Sequence, residues 1–160
     1  MTEAVGRIAE TAIRVRYAET DAMGIVHHSS YVVWFEAGRS DWMRLSGRSY
    51  SEFERDGFFL PVTEISVRYL APLRYDETAV VRTWISGRRS RQLTFSYEVV
   101  DDSGRQLATG LSVHVCTTRD GKVTALPATL LGTTPISGPA DARSSPGSRQ
   151  SSDGRQSGAL

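Results

Sequence analysis

The sequence predicts an α+β fold, one curved antiparallel sheet of about five strands wrapped around one long helix. Three observations predict it. Apolar residues recur at steps of four and three from Tyr31 through Phe35, Gly38 and Trp42 to Leu45, which is a helical stripe. Period-two alternation then takes over in four later segments. Turn sequences, Asp101-Asp102-Ser103-Gly104 and Arg119-Asp120-Gly121-Lys122, separate neighbouring segments as antiparallel hairpins require. A strand, a helix and then a run of strands is an α+β order.

Taken in order, Ile13, Val15 and Tyr17 alternate with Arg14, Arg16 and Ala18 and predict the first strand. A loop, Asp21 to His28, leads into the helix. Ser29 or Ser30 is the expected cap and Gly47 suits the end. Val32, Val33, Trp34 and Ala37 make its first turns apolar on other faces too, so the helix should be enclosed by other structure. Ser49-x-x-Glu52 is a capping-box pattern that opens a short second helix ending at Gly57. Strands follow at Val62–Tyr69, Ala79–Ile85, Leu93–Val99 and Leu107–Thr117, with a short closing strand expected at Val123–Leu126.

Composition changes near Gly132. From Thr133 to Leu160 half of the residues are Ser, Gly or Pro, and such a segment buries too little to offset its ordering entropy. One domain over 8–131 and a disordered tail over 132–160 are expected. Lys and Arg total 19 against 18 Asp and Glu, which argues against a nucleic-acid surface or docking on an anionic membrane. The single Cys116 excludes an intrachain disulfide and a multi-thiolate zinc site. No apolar run is long enough to span a membrane and no secretory signal is evident, so a cytoplasmic protein is expected.

Asp21 is the sharpest chemical candidate. It sits on a loop in which Gly24 permits close backbone approach, just before a helix N-terminus with unpaired amides. A carboxylate beside such donors can attack or hydrate a polarised carbonyl, whereas most loop aspartates merely close a turn. His27 and His28 lack a third ligand at suitable spacing, so no metal is expected, and no cofactor. The His28 backbone N–H matters more than its ring. Glu36 and Arg39, three apart, can pair or bond to Tyr31 or the sheet. Arg88, Arg89 and Arg91 cluster at a turn, either as a solvated hairpin tip or as a clamp for phosphate. Cys116, on a buried strand without an activating base, is expected to be inert.

The run Asp21-Ala22-Met23-Gly24-Ile25-Val26-His27-His28-Ser29-Ser30-Tyr31, with Glu36 and Arg39 behind it, resembles the signature of the 4-hydroxybenzoyl-CoA thioesterase and YbgC-like family of hotdog-fold enzymes. Ala71-Pro72-Leu73 and the basic turn before Leu93 resemble it too, so the likeness covers roughly 12–127. The related enediyne polyketide thioesterases carry Asn where Asp21 stands, so this chain resembles the former group. The resemblance implies a hotdog fold, two subunits joined in a continuous sheet, and commonly a homotetramer. It implies hydrolysis of an acyl-CoA thioester, with Asp21 as nucleophile or general base and the His28 N–H polarising the carbonyl. Arg88 and Arg89, with Arg91 beside them, would hold the phosphates of coenzyme A. The acyl group is expected near Tyr31, Trp34 and Phe59. A thioesterase acting on acyl carrier protein and a non-catalytic acyl-CoA-binding protein are the alternatives.

Overall fold

The computed structural model describes residues 6–131; the expected tail over 132–160 lies outside them. Five strands form the main sheet in the order β1-β4-β5-β6-β3, all antiparallel: β1 Ala9–Arg14, β3 Val62–Tyr69, β4 Thr78–Arg89, β5 Gln92–Asp101 and β6 Gln106–Val115. Along β4 and β5 alternate residues (Ala79, Val81, Ile85; Leu93, Phe95, Tyr97, Val99) are buried, which is the period-two pattern read from the sequence. The long helix α1, His28–Leu45, lies across this face. Phe35 stacks flat on Tyr97 of β5, centroids 4.1 Å apart and planes 4° apart, and Trp42 meets Phe95 edge-on. Gly38 lets the helix come this close, because a side chain there would collide with Thr83 Oγ1. The fold is the expected α+β hotdog arrangement.

Several local expectations need correction. The first strand lies earlier than predicted, and Tyr17 belongs to a single 3-10 turn, Tyr17–Glu19. The cap of α1 is neither Ser29 nor Ser30 but His27, whose Nδ1 accepts from the Ser29 N–H at 3.2 Å. Val32 and Val33 are exposed, so the helix is not enclosed on all sides within one chain. The predicted strand over 107–117 breaks at Cys116: Thr117–Thr118 (β7) leaves the main sheet and pairs with Phe58–Phe59 (β2), which sequence reading missed. Val123–Leu126 contributes only one bridge, Thr117 to Val123. The second helix, α2 Tyr50–Arg55, has its capping box between Ser49 and Glu52 as read. A last short helix, α3, covers Ala128–Leu131.

Arg39 and Glu36 do not form an ion pair; the Arg39 side chain instead heads a buried hydrogen-bond chain. Its Nη1 donates to Tyr97 Oη (3.1 Å), which lies 2.6 Å from Ser112 Oγ, itself 2.7 Å from His114 Nε2. At the far end His114 Nδ1 lies 2.9 Å from the Leu60 carbonyl. A carbonyl only accepts, so Nδ1 carries the proton, Nε2 accepts from Ser112, and Tyr97 donates to Ser112. Every donor then points one way along the chain.

This direction has a consequence for acid stability. Burial pushes the His114 imidazolium down to about 4, from an ordinary 6.5. The folded state therefore holds fewer protons on this ring than the unfolded state between those two values. Stability is full above about 6.5 and falls on acidification toward 4, at up to about 1.4 kcal/mol per pH unit at the steepest. His114→Gln should be less stable at neutral pH yet flatter in this window. Urea midpoints measured every half unit from 7 to 4 check it, and parallel curves for the two proteins would refute it.

Candidate active site

The sequence folds the Asp21 loop by closing it on itself. The Asp21 N–H donates to the Ile25 carbonyl (2.9 Å), Gly24 N–H donates back to the Asp21 carbonyl (2.9 Å), and Thr20 bridges Val26. Gly24 makes this possible with φ at +75°, a conformation that side chains rarely adopt. Arg74 Nη1 reaches the Gly24 carbonyl at 3.5 Å from outside. Asp21 Oδ1 accepts from the Met23 N–H at 2.8 Å, so the ordinary Asx turn is present. It occupies one oxygen only. Among the described residues Oδ2 accepts no hydrogen bond.

The helix that follows leaves a matching donor. Of the amides in its first turn, Ser29's is taken by His27 Nδ1 and Ser30's by the His27 carbonyl at 3.0 Å. No partner for the His28 N–H is found among the described residues. This amide belongs to the positive end of an 18-residue helix. Asp21 and His28 line the same cavity of about 420 Å³. Its remaining wall is mostly apolar: Ile25, Val26 and Tyr31 on one side, and Tyr69, Leu70 and Pro72 on the other.

Of the residues expected to bind substrate, only Tyr31 lies on this cavity; its phenol is raised by burial first and then by the neighbouring Tyr69. Trp34 is buried behind it and donates its Nε1–H to Glu19 Oε1 at 3.0 Å. The packing reason is the indole N–H, which needs a partner and turns the ring away from the cleft. Phe59 stands on β2 beneath the Arg119 guanidinium, 5.7 Å from the ring centre, and does not line the cavity. Arg88, Arg89 and Arg91 are exposed at the β4–β5 turn, at the other end of the sheet. The register shows how far. Tyr69 shares a row with Ala108, Val99 and Val81, whereas Arg88 shares one with Leu93, His114 and Val62. Six residues along β5 and β6, where neither strand bulges between them, separate the rows, about 20 Å.

Sequence reading missed Tyr69. Its Oη–H donates to the His28 carbonyl at 2.8 Å and its ring meets Tyr31 edge-on, so it ties the end of β3 to the start of α1. The available signal was its place at the end of an amphipathic strand, which does not reveal that the strand ends beside the helix. Cys116 is buried and burial raises its thiol, which fits the inert role expected of it.

The fold and the family it matches are those of a thioester-hydrolysing class of enzyme, and in this chain Asp21 and His28 line one cavity at the N-terminus of the long helix. The chain belongs to the Thioesterase-like superfamily, whose family model matches residues 15–133. YneP of Bacillus subtilis is 39% identical over 113 residues, 71% of this chain and 82% of that protein. The acyl-CoA thioester hydrolase YbgC of Escherichia coli O6:H1 is 31% identical over 104 residues, 65% of this chain and 78% of YbgC. The DHNA-CoA thioesterase of Staphylococcus aureus superposes with a TM-score of 0.72 at 34% identity, covering 74% of this chain and 80% of that one.

Proposed function

We propose that this protein hydrolyses an acyl-CoA thioester to a free carboxylic acid and coenzyme A. The observation that carries the reading is the pair of unused groups on one cavity, the Asp21 Oδ2 and the His28 N–H. The thioester carbonyl oxygen accepts from the His28 N–H, and the helix end stabilises the negative charge that develops there. One such donor is typically worth about 3–4 kcal/mol in the transition state. Asp21 Oδ2 either attacks the carbonyl carbon or takes the proton of an attacking water. Both routes expel the thiolate and end with water added across the C–S bond. The names of YbgC and of the staphylococcal enzyme, a hydrolase and a thioesterase of CoA substrates, support the substrate class.

A second copy of the chain completes this reading. Strand β3 is an edge, with Val62, Ile65 and Tyr69 exposed, and Val32 and Val33 of α1 are exposed as well. Pairing β3 with its own copy about a two-fold axis makes one continuous sheet and covers these residues. Antiparallel pairing also reverses the copy, so its Val62 end meets this chain's Tyr69 end. The copy's Arg88 then falls on the row of this cavity, about four strand spacings or ~19 Å away. There Arg88 and Arg89 of the copy can hold the phosphates while the thioester lies at Asp21. The homodimer, or a homotetramer of two such dimers, is therefore the active unit. The test is a panel of acyl-CoAs, straight-chain and aromatic, followed by release of free thiol. Release from none of them would end the proposal.

A further inference from the structure

Asp21 and the His28 amide belong to different segments, and catalysis as proposed above needs them held at a fixed separation. Neither residue does this itself. Glu19, two positions before Asp21, is hydrogen-bonded to the segment that carries His28, through His27, Ser30 and Trp34. Glu19 is only 8% exposed, an unusual place for a carboxylate unless it is paired. Oε2 accepts from the Arg16 N–H at 2.8 Å; Oε1 accepts from Arg16 Nη2 at 3.1 Å and from Trp34 Nε1 at 3.0 Å. Its backbone carbonyl accepts from the His27 N–H at 2.8 Å and, at 3.4 Å, from the Ser30 hydroxyl. One residue thus joins the end of the first strand, the catalytic loop, the cap of α1 and the buried side of α1. Burial alone would raise this carboxyl, but the Arg16 backbone N–H, the Trp34 indole and the Arg16 guanidinium together hold it below the usual range.

We infer that Glu19 is a positioning residue for the proposed hydrolysis, fixing the Asp21 loop against the His28 amide through Trp34 and His27. It touches no part of the cavity, so its effect on turnover runs wholly through geometry. Three donors converge on one carboxylate, and only an acceptor-only group satisfies all of them. In Glu19→Gln one end of the amide must present N–H to another donor. Trp34→Phe removes the same link from the helix side.

The inference rests on the proposed function, and the experiment keeps the two apart. Glu19→Gln, Trp34→Phe and the double variant are compared with Glu52→Ala, which breaks the capping box of α2, a helix that contributes no residue to the cavity lining. Each single variant should lower kcat by about 10-fold or more with KM within threefold, since small misplacements of reacting groups are costly. The double variant should lose no more than the worse single one, because both cut one connection. Glu52→Ala should melt lower while keeping kcat within about twofold. Hydrogen exchange of the peptide spanning 20–28 provides a readout independent of turnover, and it should quicken in the Glu19 and Trp34 variants but not in Glu52→Ala. Unchanged kcat, additive losses or unchanged exchange in the 20–28 peptide would each overturn the inference. If the wild type hydrolyses no acyl-CoA, the function proposed above falls and exchange alone decides whether Glu19 holds the loop.

Discussion

Asp21→Asn is expected to lose at least about 100-fold in turnover, the ordinary scale for removing a positioned base or nucleophile. It should do so without unfolding. The carboxylate has two separate duties here, and Asn preserves one of them. Its amide oxygen can still accept from Met23 N–H and close the Asx turn that Asp21 Oδ1 closes now. What it cannot do is attack a carbonyl carbon or accept a proton usefully from the position of Oδ2. Asp21→Ala removes both duties, so it should be as inactive and also less stable. The comparison therefore separates turn from chemistry. Steady-state thiol release, melting temperature and binding of a non-hydrolysable CoA thioether measure the three quantities. An Asn variant turning over within threefold of wild type would show that Asp21 only shapes the loop.

Much of this arrangement was legible in the sequence because its causes are local. Period-two and period-3.6 patterns reflect which face is buried, and β4, β5 and α1 follow them closely. The Asp21 loop was legible for the same reason, since a glycine at positive φ and the following helix are both short-range features. What escaped notice depends on partners distant in sequence. An apolar helix with Tyr31, Trp34 and Phe35 gives no indication which ring faces a cleft; Glu19, fifteen residues before Trp34, decides it. The His27 cap was overlooked because a ring nitrogen does here what a hydroxyl usually does. The arginine turn is legible as a turn, but only the register of four strands reveals that it stands at the end of its own sheet away from its own cavity.

Replacing Arg88 and Arg89 together by Ala should raise KM for acyl-CoA by about 10-fold or more, since charge-assisted contacts to phosphate are worth about 1.5–3 kcal/mol each before screening. The value of kcat should hardly change, because groups far from the thioester bind ground and transition states alike. A short N-acetylcysteamine thioester has no phosphates and should show no penalty. Mixing gives the sharper result. In a mixed dimer of Asp21→Asn and the double arginine variant, one cavity has Asp21 from one chain and the arginines from the other. If each cavity borrows its arginines from the copy, as the reversed β3 pairing requires, one of the two sites is then fully damaged and the other fully intact. At subsaturating acyl-CoA, co-refolded equal amounts should recover about a quarter of wild-type activity, half the dimers being mixed with one working site in two. If the arginines serve their own chain's cavity, every mixed dimer carries one dead site and one weak one, and activity stays near the average of the parents. The first result places the phosphate clamp on the partner subunit, and the second returns it to the chain on which it was read.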